Sequence, residues 1–162
     1  MFKIGDKIAH PMHGAGIISD IQEKTIDGVT RSYYVLRLPV GGMVVMIPTD
    51  TSESIGVRPI IGSERAEAVL NSISNIEAKV EPNWNKRYKE NLMRIRSGDL
   101  FEVAKVIKCL YLREGDKGLS TGERKMLHSA KHILISEVVL SKNLSYEEVE
   151  RKLNTVLTES FV

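Results

Sequence analysis

The chain has 162 residues, of which 42% are hydrophobic and 27% are charged, a balance that is typical of a globular protein in water. No apolar run approaches the roughly 18 residues that a membrane span needs, and the N-terminus lacks the apolar stretch of a secretory signal. The single cysteine, Cys109, excludes an intramolecular disulfide and any metal site built from several cysteines. These features predict a cytoplasmic protein of one or two small domains, with no membrane partner.

Positive charge is concentrated in the middle of the chain, although the net charge is only +2. Residues 79–131 hold 13 Lys and Arg against 7 Asp and Glu, whereas the two flanking parts each carry a small acidic excess. A localised basic block indicates contact with a polyanion such as nucleic acid. A solvated helical face rich in lysine would give the same pattern, so both interpretations stand at this point.

Short strands with glycine turns are predicted over the first sixty residues, at positions 7–10, 17–23, 31–38 and 43–48. Asp27-Gly28 favours a hairpin turn, because both residues tolerate a positive φ. Tyr34, Leu36 and Leu38 alternate with the other residues of their strand, which fits a sheet with one buried face. The pattern predicts a small antiparallel β-barrel module over residues 1–60.

Helical spacing of apolar residues replaces the strand pattern after Gly62. Asn83 is placed to cap a basic helix, and Ser120-x-x-Glu123 and Ser145-x-x-Glu148 have the form of capping boxes. Gly115 and Gly118 are predicted to end the helix before the first of these boxes. The predicted fold is therefore α+β, with an all-α helical bundle of four or five helices over residues 61–162, at positions 63–74, 83–97, 99–113, 120–140 and from 145 on.

Histidine pairs are the main candidates for a metal site, and neither is convincing. His10 and His13 lie near a predicted turn and have no obvious third ligand. His128 and His132 stand at the i, i+4 spacing that can bind zinc on a helix, but the glutamate of the His-Glu-x-x-His pattern is absent. No metal or other cofactor is therefore predicted.

Nucleophilic and phosphate-loop chemistry also lacks support. Cys109 lies among apolar residues, whereas a reactive thiolate needs an accessible, electropositive niche. Gly14-Ala15-Gly16 is too short to form a phosphate loop. The sequence therefore favours a protein that is not an enzyme.

Trp84, the only tryptophan, stands at the predicted start of the basic helix. At 100° per residue, Tyr88, Leu92 and Ile95 fall within about 80° of it, which favours packing in the core. Helical side chains tilt towards the N-terminus, however, so an indole at the first position can overhang the helix end. An apolar wedge flanked by cations suits entry into the DNA minor groove. A second basic group, Arg124-Lys125, could meet phosphates of the same duplex.

Three segments resemble the CarD-like bacterial transcription regulators. Residues 84–92 read WNKRYKENL, residues 118–127 read GLSTGERKML, and the N-terminal part has FKIGD at 2–6 and HGAG at 13–16. The resemblance covers essentially the whole chain, and the first two segments are long enough to be specific.

The resemblance implies a fold and a set of partners. The N-terminal module would be Tudor-like and bind the lobe of the RNA polymerase β subunit, and the helical domain would contact promoter DNA at the upstream edge of the melted region. There the tryptophan that matches Trp84 would wedge into the minor groove and slow closing of the bubble. Lys86, Arg87 and Lys89 match the family's DNA-facing positions. The protein is expected to act as a monomer.

The polymerase-facing positions follow from the same resemblance. Lys24, Ile26 and Met46 lie where relatives contact the β subunit, although Met46 replaces a basic residue of some relatives. Transcription-repair coupling factors carry a similar N-terminal module, but this sequence has no helicase motor motif. The alternatives are a protein-interaction module without direct DNA contact and a metal-dependent enzyme built around His128 and His132.

Overall fold

A computed structural model describes residues 1–77, 79 and 81–159. The N-terminal part is an antiparallel sheet in the order β4-β3-β2-β1-β5. The strands are β1 (Lys7–His10), β2 (Gly14–Ile26), β3 (Val29–Arg37), β4 (Val44–Pro48) and β5 (Arg58–Pro59). Within the described ranges β4 and β5 are the two ends of an open sheet. Closure into the predicted barrel is thus not confirmed, and the two-residue β5 was not predicted.

The β2–β3 hairpin projects beyond the other strands. Asp27 and Gly28 form its turn with φ values of 53° and 79°, which confirms the turn that their tolerance of positive φ predicts. Pairing continues from Asp20 opposite Val35 to Ile26 opposite Val29, after a bulge between Ile18 and Asp20. The far end of the hairpin is exposed, whereas its base covers a small core that consists of Ile8, Ile18, Tyr34, Leu36, Leu38, Ile47 and Val57.

Six α-helices complete the regular structure of the described residues. They are α1 (Ser52–Ile55), α2 (Ser63–Ser72), α3 (Trp84–Arg96), α4 (Leu100–Asp116), α5 (Thr121–Lys142) and α6 (Tyr146–Glu159), with a 3-10 turn at Ile73–Asn75. The prediction that Gly115 breaks α4 is wrong, because the helix continues to Asp116. Gly118, with a φ of 78°, provides the break. Across the described residues, no helix is both long and apolar enough to cross a membrane.

The second core is larger and centres on α5. Ala130, Leu134 and Val138 of that helix are fully buried and pack with apolar residues of α2, α3, α4 and α6. Lys108 also lies in this region and is 3% exposed. Its ammonium donates to the carbonyl oxygens of Ile73 at 2.6 Å and Ser74 at 3.2 Å. This lysine therefore ties α4 to the end of α2, and desolvation lowers its pKa.

A polar clasp joins the sheet to the helices. The Glu137 carboxylate on α5 accepts two hydrogen bonds from the Arg58 guanidinium of β5, at 2.7 and 2.9 Å. It also accepts one from the Ile61 amide at 2.9 Å, while Arg58 donates to the Gly98 carbonyl between α3 and α4 at 2.8 Å. Nearby, the Ala15 amide donates to Ser136 Oγ at 2.9 Å. The Glu137 carboxylate thus holds the strand and the linker, and Arg58 extends the connection to the segment between α3 and α4.

Replacing Glu137 with Gln should therefore destabilise the junction. The amide group cannot accept all three hydrogen bonds, and loss of one partner of a buried pair costs about 3–5 kcal/mol. Because the Arg58 side chain is 30% exposed, we expect a loss of about 2–3 kcal/mol in the free energy of unfolding. Urea denaturation of E137Q measures it, with E23Q on the exposed hairpin as the matched control. Equal midpoints for E137Q and the native protein would contradict the clasp.

Candidate nucleic-acid interface

The start of α3 presents the only tryptophan at the protein surface. The Asn83 side chain caps the helix by accepting a hydrogen bond from the Lys86 amide at 3.0 Å, so Trp84 is the first helical residue. The residue is 42% exposed. Trp84 is thus not a buried core residue, and the packing that it has is against Tyr88 at the edge of the helical core.

Two contacts fix the orientation of the Trp84 ring. The ring stacks on Tyr88, with centroids 5.1 Å apart and planes inclined by 16°. The indole Nε1–H donates to Ser120 Oγ at 3.0 Å. One face of the indole is therefore covered and its polar edge is satisfied, so the ring is exposed and yet held in one position.

The Ser120 hydroxyl is the N-cap of α5 and carries three hydrogen bonds. It accepts from Trp84 Nε1 and from the Glu123 amide at 3.1 Å, and it donates to Glu123 Oε1 at 3.2 Å. A hydroxyl offers one donor and two lone pairs, so its capacity is fully used. The predicted N-cap at Ser120 is thus confirmed, whereas Glu123 bonds to the Ser120 hydroxyl instead of the backbone N–H that a capping box uses. The same cap anchors the tryptophan.

Arg87 points inward rather than towards solvent. It is 7% exposed and its Nε and Nη2 donate to the two carboxylate oxygens of Glu123 at 2.8 and 3.1 Å. Its Nη1 donates to the Glu81 carbonyl at 2.9 Å. The DNA-facing position expected for Arg87 does not agree with this geometry, because the guanidinium is already committed to a buried partner.

The ion pair also shifts the protonation of Glu123. The hydrogen bond from Arg87 lowers the pKa of this carboxyl group, and Ser120 and Arg113 act in the same direction. The pKa of Arg87 is raised for the same reason. A carboxyl group with a lowered folded-state pKa stabilises the fold above its unfolded-state pKa, and that contribution is lost as the pH falls through the lowered value.

Four exposed cations lie on the two helix starts that meet at the tryptophan. Lys86 and Lys89 lie on α3, and Arg124 and Lys125 lie in the first turns of α5. Of these, Lys86 faces Glu81 at 3.4 Å, with a side chain that is 62% exposed. The first turn of α5 lies close to the aromatic pair, since a Cβ on Gly122 would be 3.6 Å from the Tyr88 ring and 3.8 Å from the Trp84 ring. We call Trp84 and these four cations the wedge surface.

The predicted polymerase-facing residues share one face of the sheet. Directly paired residues lie on the same face, and so do alternate residues of a strand. Ile26 pairs with Val29, Lys24 with Arg31 and Met46 with Val35, and these β3 partners are all at odd-numbered positions. The outer pairs lie six positions apart along β3, which is about 20 Å at 3.3–3.4 Å per residue. Ile26 is 57% exposed.

Histidines of both predicted pairs lie close together, which their spacing in the sequence did not predict. His13, His128 and His132 line one cavity of about 240 Å³ between the sheet and α5, and the His10 ring lies 4.6 Å from that of His13. Burial and the charge of His13 lower the pKa of His10 to about 4. In the described part of the chain, no group of three His, Cys, Asp or Glu side chains could hold a metal ion.

Sequence reasoning missed three members of the site. Tyr88 was placed on the apolar stripe, and Ser120 and Glu123 were recognised only as a helix cap. The sequence does contain a signal for these residues, because the segments at 84–92 and 118–127 both carry the resemblance and could have been expected to form one site. The contacting residues are 36 positions apart in the chain, so local spacing did not predict their contact.

Comparisons with known proteins cover both parts of the chain. The family described as "CarD-like/TRCF RID domain" matches residues 2–61, and "CarD, C-terminal domain" matches residues 68–154. A Bacillus subtilis (strain 168) protein named "Putative transcription factor YdeB" is 36% identical over 150 residues, which is 93% of this chain and 98% of that protein.

Replacement of Ser120 by Ala should release the tryptophan as well as the cap. Loss of an N-cap side chain costs about 0.5–2 kcal/mol, and Trp84 Nε1 would lose its acceptor. We expect lower fluorescence anisotropy of Trp84 together with the loss of stability. Ser145→Ala is the matched control, because Ser145 caps α6 through an equivalent contact with Glu148 at 3.1 Å. Equal anisotropy in the two variants would show that Ser120 does not hold the ring.

Proposed function

This chain belongs to the CarD family of transcription regulators, and we propose that it acts when transcription starts. The β-module would bind the β subunit of RNA polymerase, and the wedge surface would contact promoter DNA at the upstream edge of the melted region. Trp84 would enter the minor groove there and slow closing of the bubble. The observation that carries the proposal is a tryptophan that is exposed, fixed in position and placed where two helix starts with exposed cations meet.

The energetics of a wedge fit this geometry. Partial unstacking of a base step costs a few kcal/mol, and contacts with the DNA backbone offset that cost. Trp84 offers a large flat ring, and its stacking on Tyr88 and its bond to Ser120 limit the freedom that would be lost on binding. A junction between paired and unpaired DNA is already partly unstacked, so wedging is least costly there.

The four cations of the wedge surface would meet phosphates rather than base edges. Lysine and arginine that neutralise phosphates bind DNA without reading its sequence. Selectivity would therefore come from the shape and flexibility of the junction. This accounts for a basic surface in a chain whose net charge is only +2.

Arg87 has a different role in this proposal from the one that the resemblance implied. Its guanidinium holds Glu123 at 2.8 Å, and Glu123 in turn binds the Ser120 hydroxyl that anchors Trp84. Arg87 is thus a positioning residue for the wedge, whereas Lys86 and Lys89 remain the proposed DNA contacts on α3.

The sheet face that carries Lys24, Ile26 and Met46 is the proposed polymerase-binding surface. Exposed apolar side chains on this face, Ile26 at 57% and Val29 at 59%, suit a protein partner. Met46 adds a flexible apolar side chain that adapts to a partner surface, and β4 lies at the end of the sheet order. This exposed face alone also supports the alternative of an interaction module without DNA contact.

Trp84→Ala separates the two candidate functions. Loss of the ring removes the wedge but leaves the sheet intact, so polymerase binding should persist while open complexes dissociate about tenfold faster, which corresponds to about 1.4 kcal/mol. Dissociation of open promoter complexes after addition of a DNA competitor measures the lifetime.

Ile26→Asp is the complementary control for that experiment. A charge on the proposed polymerase face should abolish binding to the polymerase and with it any effect on the lifetime, although the wedge is untouched. An unchanged lifetime with folded, polymerase-bound Trp84→Ala protein would refute the wedge and leave the interaction module.

Paired substitution of Lys86 and Lys89 by Ala should weaken DNA binding without loss of stability. Each lost phosphate contact reduces the dependence of log K on log salt concentration by about 0.9, so the slope should fall by about 1 to 2. Fluorescence anisotropy with a forked duplex at several salt concentrations gives this slope. Lys105→Ala is the control, because Lys105 is an exposed cation of α4 outside the wedge surface. Identical slopes for all three proteins would contradict the assignment.

A further inference from the structure

A cleft of about 220 Å³ lies between α3 and α4, next to the wedge surface but separate from it. It lies on the flank of α3 that carries Arg87, Asn91 and Arg94, and Arg113 of α4 faces it from the other side. Pockets for drug-sized ligands span roughly 300–1,000 Å³. The cleft is therefore of a size for a small group.

The lining of the cleft is cationic. Four cations stand against the carboxylates Glu81 and Glu90, which leaves a net charge of +2 on the lining side chains. Arg87 is paired with Glu123 at 2.8 Å and Arg94 with Glu102 at 3.7 Å. The other two cations of the lining are Lys79 and Arg113.

Arg113 has a donor without an acceptor. Its Nε is buried and has no hydrogen-bond partner, a state that is unfavourable because a buried N–H loses its bond to water. Arg113 also lowers the pKa of Glu123 through space, so two guanidinium groups lie close to one carboxylate. An anion in the cleft would accept a hydrogen bond from Arg113 Nε and would balance the positive charge that the two guanidinium groups leave beside one carboxylate.

Asn91 adds a neutral polar side chain to the same lining. The residue is 3% exposed and borders the cleft one helical turn from Arg87. An amide NH₂ can donate two hydrogen bonds. A partly buried guanidinium with a buried, unpaired Nε and a buried amide beside one small cleft are groups that recognise an oxyanion.

We propose that this cleft binds a small oxyanion of the phosphate class, with Arg113, Lys79 and Asn91 as its ligands. Phosphate offers several acceptor oxygens, and a guanidinium binds it through two parallel N–H donors. The anion is either a backbone phosphate of bound nucleic acid or the phosphate group of a small molecule. The binding site goes beyond the proposed function and does not depend on it, since it needs neither the wedge nor polymerase.

Titration with inorganic phosphate tests the site. Isothermal titration calorimetry and thermal denaturation, at constant ionic strength maintained with chloride, should give saturable binding and a rise in Tm. Arg113→Gln should bind phosphate at least tenfold more weakly. Arg96→Gln is the matched control, because Arg96 is an exposed cation of α3 outside the cleft, and it should bind phosphate like the native protein.

Asn91→Asp provides a second variant, in which the packing around residue 91 is expected to be retained. The substitution is nearly isosteric and places a carboxylate among the cations of the cleft. It should raise the Tm in phosphate-free buffer and remove the further rise that phosphate causes. A Tm for this variant that is lower in phosphate-free buffer and still rises with phosphate would overturn the assignment.

The salt dependence of binding to a forked duplex distinguishes the two sources of the anion. A slope that falls by about one in Arg113→Gln identifies a nucleic-acid phosphate, whereas an unchanged slope with lost phosphate binding identifies a small molecule. Both results support the site. Phosphate that stabilises no better than chloride, or that binds Arg113→Gln and Asn91→Asp as tightly as the native protein, would overturn it. None of these measurements uses polymerase, so the proposed initiation function can fail or hold separately.

Discussion

The buried ion pair between Arg87 and Glu123 is the constraint on which the start of α3 and the start of α5 both depend. Removal of two charges from water is costly, and their attraction offsets that cost only when the geometry is good and the remaining polar atoms are satisfied. Here the carboxylate accepts two bonds from one guanidinium and one from Ser120. Any shift of either helix start would leave a buried charge without its partner, so the two starts are fixed relative to each other.

This constraint explains how a surface tryptophan can be both exposed and ordered. An exposed side chain normally samples several rotamers, and ordering it on binding would cost free energy. The chain of contacts from Arg87 through Glu123 and Ser120 to Trp84 Nε1 imposes that order in advance. Stacking on Tyr88 limits the remaining rotation. The proposed wedge would therefore enter DNA with little further loss of conformational freedom.

Local signals in the sequence predicted local structure well. The Asp27-Gly28 turn, the Asn83 cap and the cap at Ser120 depend on residues that are neighbours in the chain, so their chemistry can be recognised there. Gly115 shows the limit of such signals. Glycine costs only about 1 kcal/mol relative to alanine in a helix, and the helix continues through it to Asp116.

Side-chain direction at the candidate site could not be predicted in the same way. Arg87 lies about 60° from Trp84 around the helix, at the edge of the apolar stripe, where a side chain can point either to solvent or to a buried partner. It points inward because it pairs with Glu123, which is 36 residues away in the chain. Lys108 is a similar case, since its acceptors are the carbonyls of Ile73 and Ser74. Long-range ion pairing is set by the fold and leaves no periodic pattern in the sequence.

The clasp at Glu137 fixes the sheet relative to the helices, as the Arg87–Glu123 pair fixes the two helix starts. A protein that binds polymerase with one module and DNA with the other gains most from the tether when the distance between the two surfaces matches that between the two sites, because the effective concentration of the second site is then highest. Arg58 bonds to both Glu137 and the Gly98 carbonyl, and Gly98 lies directly after α3. The helix that carries Trp84 is thus connected to β5 through one guanidinium. The proposed mechanism therefore uses two ion pairs, a buried one that orients the ring and a partly buried one that links the helix of the ring to the sheet.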